Sequence, residues 1–217
     1  MEHQIKKTPL KIKKANLTRV LYEENKEKIG EYINRLVWWN KKINLVSRDV
    51  SRETMAKHVE HSLVVSQSAL FIKARKVLDS GTGGGLPGIP LAIISPEKEV
   101  LLNDVVTKKI MACKSMIRDL GLTNVAVKSG SIEGVGFNGD ELLVSKHAFK
   151  IDGLISLLEG KPWKKIVLLK GGEEVGAEIE KIEEPLNIEI IDLYPGFDDS
   201  FYRGKAMVEI SKRSNYE

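Results

Sequence analysis

A chain of 217 residues, 42% hydrophobic and 29% charged, has room for one domain with an extension, or two small ones, and can bury a core without staples. Its single cysteine, Cys113, excludes an internal disulfide framework and any cysteine cage for a metal. The net charge of +4 is uneven, since residues 1–50 hold 12 Lys and Arg against six Asp and Glu, the footprint of a polyanion-binding arm or of a solvated face.

Residues 1–7 contain no apolar leader core. The most apolar stretch, 63–72, is interrupted by Ser66, Gln67 and Ser68 and is too short to span a bilayer. A soluble, cytoplasmic protein is expected. The Lys-rich first fifteen residues, broken by Pro9, predict a partly disordered segment. A helix is expected from Thr18 as N-cap, with Leu17 stapled on Tyr22. It runs through Ile29, Ile33, Leu36 and Val37 and ends at Trp38-Trp39-Asn40. A connecting loop over 41–49 and a second helical stretch over 51–71 come next. Together these define a basic helical extension over 1–72.

From residue 76 short β-rich runs alternate with helical stretches: 76–79, 100–103, 125–128, 141–144, 165–169, 188–192 and 205–210. The first five are spaced for crossover helices, such as 108–120, which demands a parallel sheet with helices on both faces. The last two are close enough to pair antiparallel. The prediction for 73–217 is a Rossmann-like α/β domain with seven mostly parallel strands, the architecture of class I methyltransferases.

The most informative segment comes after the first of these strands. Asp79-x-Gly81-x-Gly83-x-Gly85, then Leu86-Pro87-Gly88, opens a helix. Glycines there let the chain turn sharply and let a ligand lie on bare backbone. Gly83, Gly85 and Gly88 also satisfy the dinucleotide pattern, which alone is weak. Two features favour S-adenosylmethionine. The Asp79 carboxylate suits a cationic ligand better than a pyrophosphate. Pro87 also removes an N–H where a phosphate would need one. Asp104, at the end of the next strand, is placed to accept from ribose hydroxyls, and 131–133 falls where an adenine edge would lie.

With these residues in view, the chain resembles the 16S ribosomal RNA guanine-N7 methyltransferase G family, also called glucose-inhibited division protein B. The resemblance runs from about Leu17 onward. It rests on residues 79–92, on Trp39-Asn40 through Asn44-Leu45, on Asp104 with Lys108 and Lys109, on 120–124 and on 169–171. It implies an S-adenosylmethionine-dependent enzyme acting on small-subunit ribosomal RNA; a monomer is expected, since ribosomal substrates rarely need a symmetric enzyme. Gly81 and Leu86 would contact the cofactor together with the rest of the glycine loop, Asp104 its ribose, and Ile132 with Glu133 its adenine. Asn44, His58 and Lys170 fall on positions nearer the substrate, and Arg203, which approximates the family's basic residue before the final strand, is expected with them. Where the family has an Arg after the fourth strand this chain has Lys146 or His147, expected to touch cofactor and substrate alike. Lys57 stands for another Arg, and His61 for a common Asp. Arg grips bidentately as Lys cannot, so these departures leave open a different RNA, a protein acceptor, or a silent RNA-binding paralogue.

Guanine N7 carries a free lone pair, so no general base is expected and catalysis is alignment, worth roughly 7–11 kcal/mol in favourable cases. Lys146, His147, Lys170 and Arg203 are then expected as phosphate or base-edge contacts, and Phe149 or Tyr202 as a stacking ring. His58 and His61 lie three apart, but no third ligand is evident and no metal is expected.

Overall fold

The computed structural model describes residues 2–46 and 50–213; residues 47–49, in the loop expected over 41–49, lie outside the described residues. In chain order the elements are β1 (Gln4–Pro9), α1 (Ile12–Glu24), α2 (Lys26–Ile43), α3 (Arg52–Leu63), α4 (Ala69–Lys73), β2 (Lys76–Ser80), α5 (Gly88–Ile94), β3 (Glu99–Asp104), α6 (Thr107–Asp119) and β4 (Val125–Ser129). They continue through β5 (Leu142–Lys146), α7 (Ile151–Leu157), β6 (Lys165–Gly171), α8 (Val175–Ile179), β7 (Leu186–Asp192), α9 (Tyr194–Phe197) and β8 (Lys205–Lys212).

One sheet holds all the strands in the order β1-β7-β8-β6-β5-β2-β3-β4. Only β8 runs antiparallel, to β6 and to β7. The seven expected strands are present, and an eighth joins them. Gln4–Pro9, expected to be partly disordered, pairs in parallel with β7 from Gln4↔Asn187 to Pro9↔Asp192. Lysines and a terminal proline hid it, and these residues are also what an exposed edge strand carries.

The first helix begins earlier than expected. It starts at Ile12, and its N-cap Lys11 makes no side-chain cap hydrogen bond, so no capping residue marks the start. Thr18 is interior, its Oγ1 donating to the Lys14 carbonyl at 3.0 Å. The next helix runs past the two tryptophans to Ile43 and stops where Asn44 turns left-handed at φ 41°.

Alternation along the central strands sends Val77, Leu142, Val144, Val167 and Leu169 into one core cluster and Leu78, Leu143, Ile166 and Leu168 into another, so both faces are covered. The first cluster also takes Ile29, Tyr32, Ile33 and Leu36, the apolar stripe of α2, and Met55 and Val59 of α3. Residues before 73 thus share a sheet and a core with those after it. One contact across this packing is polar. Tyr32, fully buried, donates from its hydroxyl to the Gly84 carbonyl at 2.8 Å, pinning the glycine loop to α2.

Tyr32→Phe leaves that buried carbonyl without its donor, a loss of roughly 1–3 kcal/mol. Thermal unfolding should shift down by roughly 2–4 °C for each kcal/mol, and an unchanged midpoint would contradict this role.

Candidate cofactor and substrate site

Strand order reverses between β2 and β5: β3 and β4 continue on one side of β2, β6 on the other side of β5. Loops leaving the carboxyl ends part at such a point, and in open α/β sheets that crevice receives the ligand. A cavity of about 370 Å³ fills it. Gly81 to Gly84 and Leu86 line it after β2, Lys146, His147 and Ala148 after β5, and His58 reaches in from α3.

The glycine loop is gripped from several sides. Asp79 Oδ2 accepts from the Thr82 hydroxyl at 2.5 Å and from the Gly88 N–H at 2.8 Å. Asp104 Oδ2 accepts from the Gly83 N–H at 2.9 Å. The Cys113 thiol lies 3.4 Å from the Gly83 carbonyl, and Tyr32 holds the Gly84 carbonyl. Two glycines are required sterically. A Cβ on Gly81, at φ 69°, would overlap Ala148, and one on Gly88 would overlap Leu102 and stand 2.7 Å from Asp79 Oδ2. The loop therefore presents bare backbone to the cavity, and this cradle fits S-adenosylmethionine.

Asp79 is fully buried, so its expected contact with a cationic ligand gives way to holding the loop. Burial pushes its carboxyl up to about 7 against the lowering effect of the Thr82 and Gly88 hydrogen bonds. Oδ1 has no partner. Asp104 is also nearly buried, and its Oδ1 accepts from the Val106 N–H at 2.9 Å.

The opposite wall is cationic. Lys146 Nζ lies 3.1 Å from His58 Nδ1. An ammonium has only donors, so Nδ1 accepts and the imidazole proton sits on Nε2. Burial, then Lys146, His147 and Lys205, push His58 down to about 4, leaving it neutral at pH 7. Burial, then Lys205, lower Lys146 to about 8. Phe201, half-buried, meets His58 edge-on at 5.4 Å between ring centres, and Lys205 Nζ lies 3.9 Å above its ring. His61, in the family's Asp position, is fully buried with neither ring nitrogen partnered. It is wedged against His147 and Tyr202, each at 5.8 Å.

The residues expected from sequence divide. Gly81, Gly83, Leu86, His58, Lys146 and His147 line the cavity. Gly85 sits behind it against Ile89. Ile132 is buried in the second core cluster, and Glu133 is exposed beside Ser131, whose hydroxyl donates to Glu133 Oε2 at 2.8 Å. Gly130, two residues earlier, donates to the Asp104 carbonyl at 3.0 Å, which ties this turn to the end of β3. Asn44 lines a different hollow with Lys41 and Lys42. Arg203 lines a third. Lys170 is not available to a substrate: it is 6% exposed, donates to the Phe149 carbonyl at 2.6 Å and pairs with Glu178 at 3.0 Å. Tyr202 is not a stacking platform either. It is buried, stacked on Phe197 at 3.9 Å, and donates to Glu60 at 2.8 Å. Phe149 is half-buried, its ring against Gly81. Sequence reasoning missed Tyr32, Phe201 and Lys205; only the proximity of the last two to Arg203 could have marked them.

Comparison with known proteins decides the family. The family model described as rRNA small subunit methyltransferase G matches residues 25–192. The chain belongs to this family. A ribosomal RNA small subunit methyltransferase G of Chlorobium chlorochromatii is 43% identical, over 70% of this chain and 66% of its own length. One from Flavobacterium johnsoniae is 34% identical, over 79% of this chain and 84% of its own. Among solved structures, an O-methyltransferase from Bacillus cereus in complex with SAH aligns with a TM-score of 0.54 at 17% identity. That alignment covers 84% of this chain and 90% of the other, and it supports the fold. As a family member the chain is an S-adenosylmethionine-dependent methyltransferase. Among the described residues no helix is long and apolar enough to cross a membrane.

Gly81→Ala adds left-handed strain of roughly 1–2 kcal/mol and an overlap worth roughly 1–3 kcal/mol more. Gly121→Ala, at φ 62° with open space around it, carries the strain alone. Calorimetry should find affinity for S-adenosylmethionine down by roughly tenfold or more for Gly81→Ala and unchanged for Gly121→Ala. Equal affinities would remove Gly81 from the cradle.

Proposed function

We propose that the protein transfers a methyl group to N7 of a guanosine in small-subunit ribosomal RNA, working as a monomer in the cytoplasm, where that acceptor is assembled. The observation that carries this reading is the wall opposite the glycine cradle. Among the described residues, the cavity lining holds the lysines Lys109 and Lys146, with His58 and His147 as neutral imidazoles, and no carboxylate. Such a wall attracts a polyanion and offers no strong base, which suits a nucleophile that brings its own lone pair.

S-adenosylmethionine supplies an electrophilic methyl on a sulfonium. The residues of the chain do the rest by placement. Gly81 to Gly84 seat the cofactor on bare backbone. Burial, then the charges of Lys146, His147 and Lys205, keep His58 neutral, and with Lys146 donating to Nδ1 the imidazole offers an N–H at Nε2 and adds no charge beside a ring that becomes cationic. Phe201 stands edge-on to His58 with Lys205 Nζ over its ring; an unstacked guanine would take that lysine's place on the ring, an interaction of about 1–3 kcal/mol per base. Lys146 and Lys205 hold the phosphates. The same lining is compatible with another RNA acceptor, and the identity of the methylated product separates the two.

Labelled methyl offered to small subunits and to bare 16S RNA lacking the mark should be recovered as 7-methylguanosine at one position. Label in another base or in protein, or none despite tight cofactor binding, would overturn the assignment. Because Lys146 loses its proton near pH 8, RNA affinity should fall as pH rises through about 8. Lys146→Arg should flatten that dependence, since a guanidinium stays charged, and an unaltered profile would take Lys146 out of the RNA contact.

A further inference from the structure

A second groove, about 750 Å³ and larger than the cofactor cavity, lies at the same edge of the sheet. It opens where β1 and β7 end and β8 begins, and it shares no lining residue with the first cavity. Its cations are Lys7, Arg203 and Lys205; its acids are Glu173 and Asp192. Arg203 and Tyr194 are already arranged as a unit: the guanidinium lies 5.1 Å over the ring, and Nη2 donates to the hydroxyl at 3.2 Å. Asp192 Oδ1 fixes the base of Tyr194 by accepting from its N–H at 3.1 Å.

Resting on the reading of RNA as the substrate, we propose that this groove holds an unpaired ribonucleotide flanking the methylated guanosine. Its base would extend the Arg203–Tyr194 stack, and its phosphates would lie on Lys7 and Arg203.

Three observations choose this occupant. The lining is mixed, with cations for phosphate and two carboxylates that can accept from exocyclic amino groups; a duplex backbone would need only the cations. A guanidinium held against an aromatic ring offers two planar surfaces of the kind on which splayed RNA bases are received. Lys205 joins the two sites. It lines the groove, lies over Phe201 and is close enough to His58 and Lys146 to lower both. A strand leaving the cofactor cavity past Phe201 enters the groove beside this lysine.

The test combines a binding readout with a contact readout. Arg203 is exposed, so Arg203→Ala and Arg203→Lys are expected to fold, and equal melting temperatures establish that they do. For bare 16S RNA, Arg203→Ala and Tyr194→Ala should each weaken binding by roughly tenfold, with S-adenosylmethionine affinity unchanged. Arg203→Ala should also lower the salt slope by about one unit. Arg203→Lys should keep the slope and lose most of the stacking part of the affinity. Separately, 16S RNA carrying 4-thiouridine, irradiated on the wild-type protein, should cross-link within peptides containing Tyr194 or Arg203. Unchanged RNA affinity and salt slope in both alanine variants, or cross-links confined to the Phe201 and Lys146 side, would overturn the groove while leaving the methyl-transfer reading intact. If wild-type protein methylates no RNA at N7, cross-linking at Tyr194 still decides the groove.

Discussion

The structure turns on one buried carboxylate. Asp79 lies near the end of β2 and, through a single oxygen, holds both the turn at Thr82 and the first N–H of α5 at Gly88. A run of glycines has more conformational freedom to lose than any other sequence, so bare backbone keeps a binding shape only when its surroundings impose one. Here they do so with unlike chemistry: a second acid on Gly83, a thiol beside the same residue's carbonyl, and a phenol on Gly84. The phenol belongs to α2, so helices ahead of the Rossmann-like sheet complete its ligand loop.

Charge is sorted by side. Asp79 and Asp104 stand behind the glycine loop, each accepting from one of its backbone N–H groups, while Lys109, Lys146, His58 and His147 face the cavity. Acids engaged with N–H groups shape a cofactor bed without repelling an incoming phosphate. Cations crowded together lower one another, and the low values of His58 and Lys146 come from burial sharpened by that crowding. The site holds neutral imidazoles and a readily discharged ammonium. These keep polyanion attraction at a distance and limit positive charge beside the reacting base.

Much of this is legible in the sequence. Crossover spacing predicts the parallel sheet, and the glycine pattern after Asp79 locates the cavity. Local pattern fails where long-range contacts decide the outcome. Gln4–Pro9 becomes a strand only because β7 offers an edge. Lys170 reads as a surface cation until Glu178 and the Phe149 carbonyl enclose it. Tyr32 looks like one more apolar position on a helical stripe, and its hydroxyl gains meaning only from a carbonyl 52 residues away. Asp79 and Asp104 stand out in the sequence as acids beside glycines, but acids that accept from backbone and acids that await a ligand have the same letters.

The edge strand has a consequence for synthesis. Thr8 and its hydrogen-bonding partner Glu189 are 181 residues apart, so β1 leaves the ribosome long before β7 exists to receive it. Until then it is an orphan, and non-local parallel pairing of this kind closes late. Its two lysines make the waiting segment a poor template for a neighbouring chain. The residues that disguise it as disorder thus also protect the nascent protein until the distant strand arrives to pair with it.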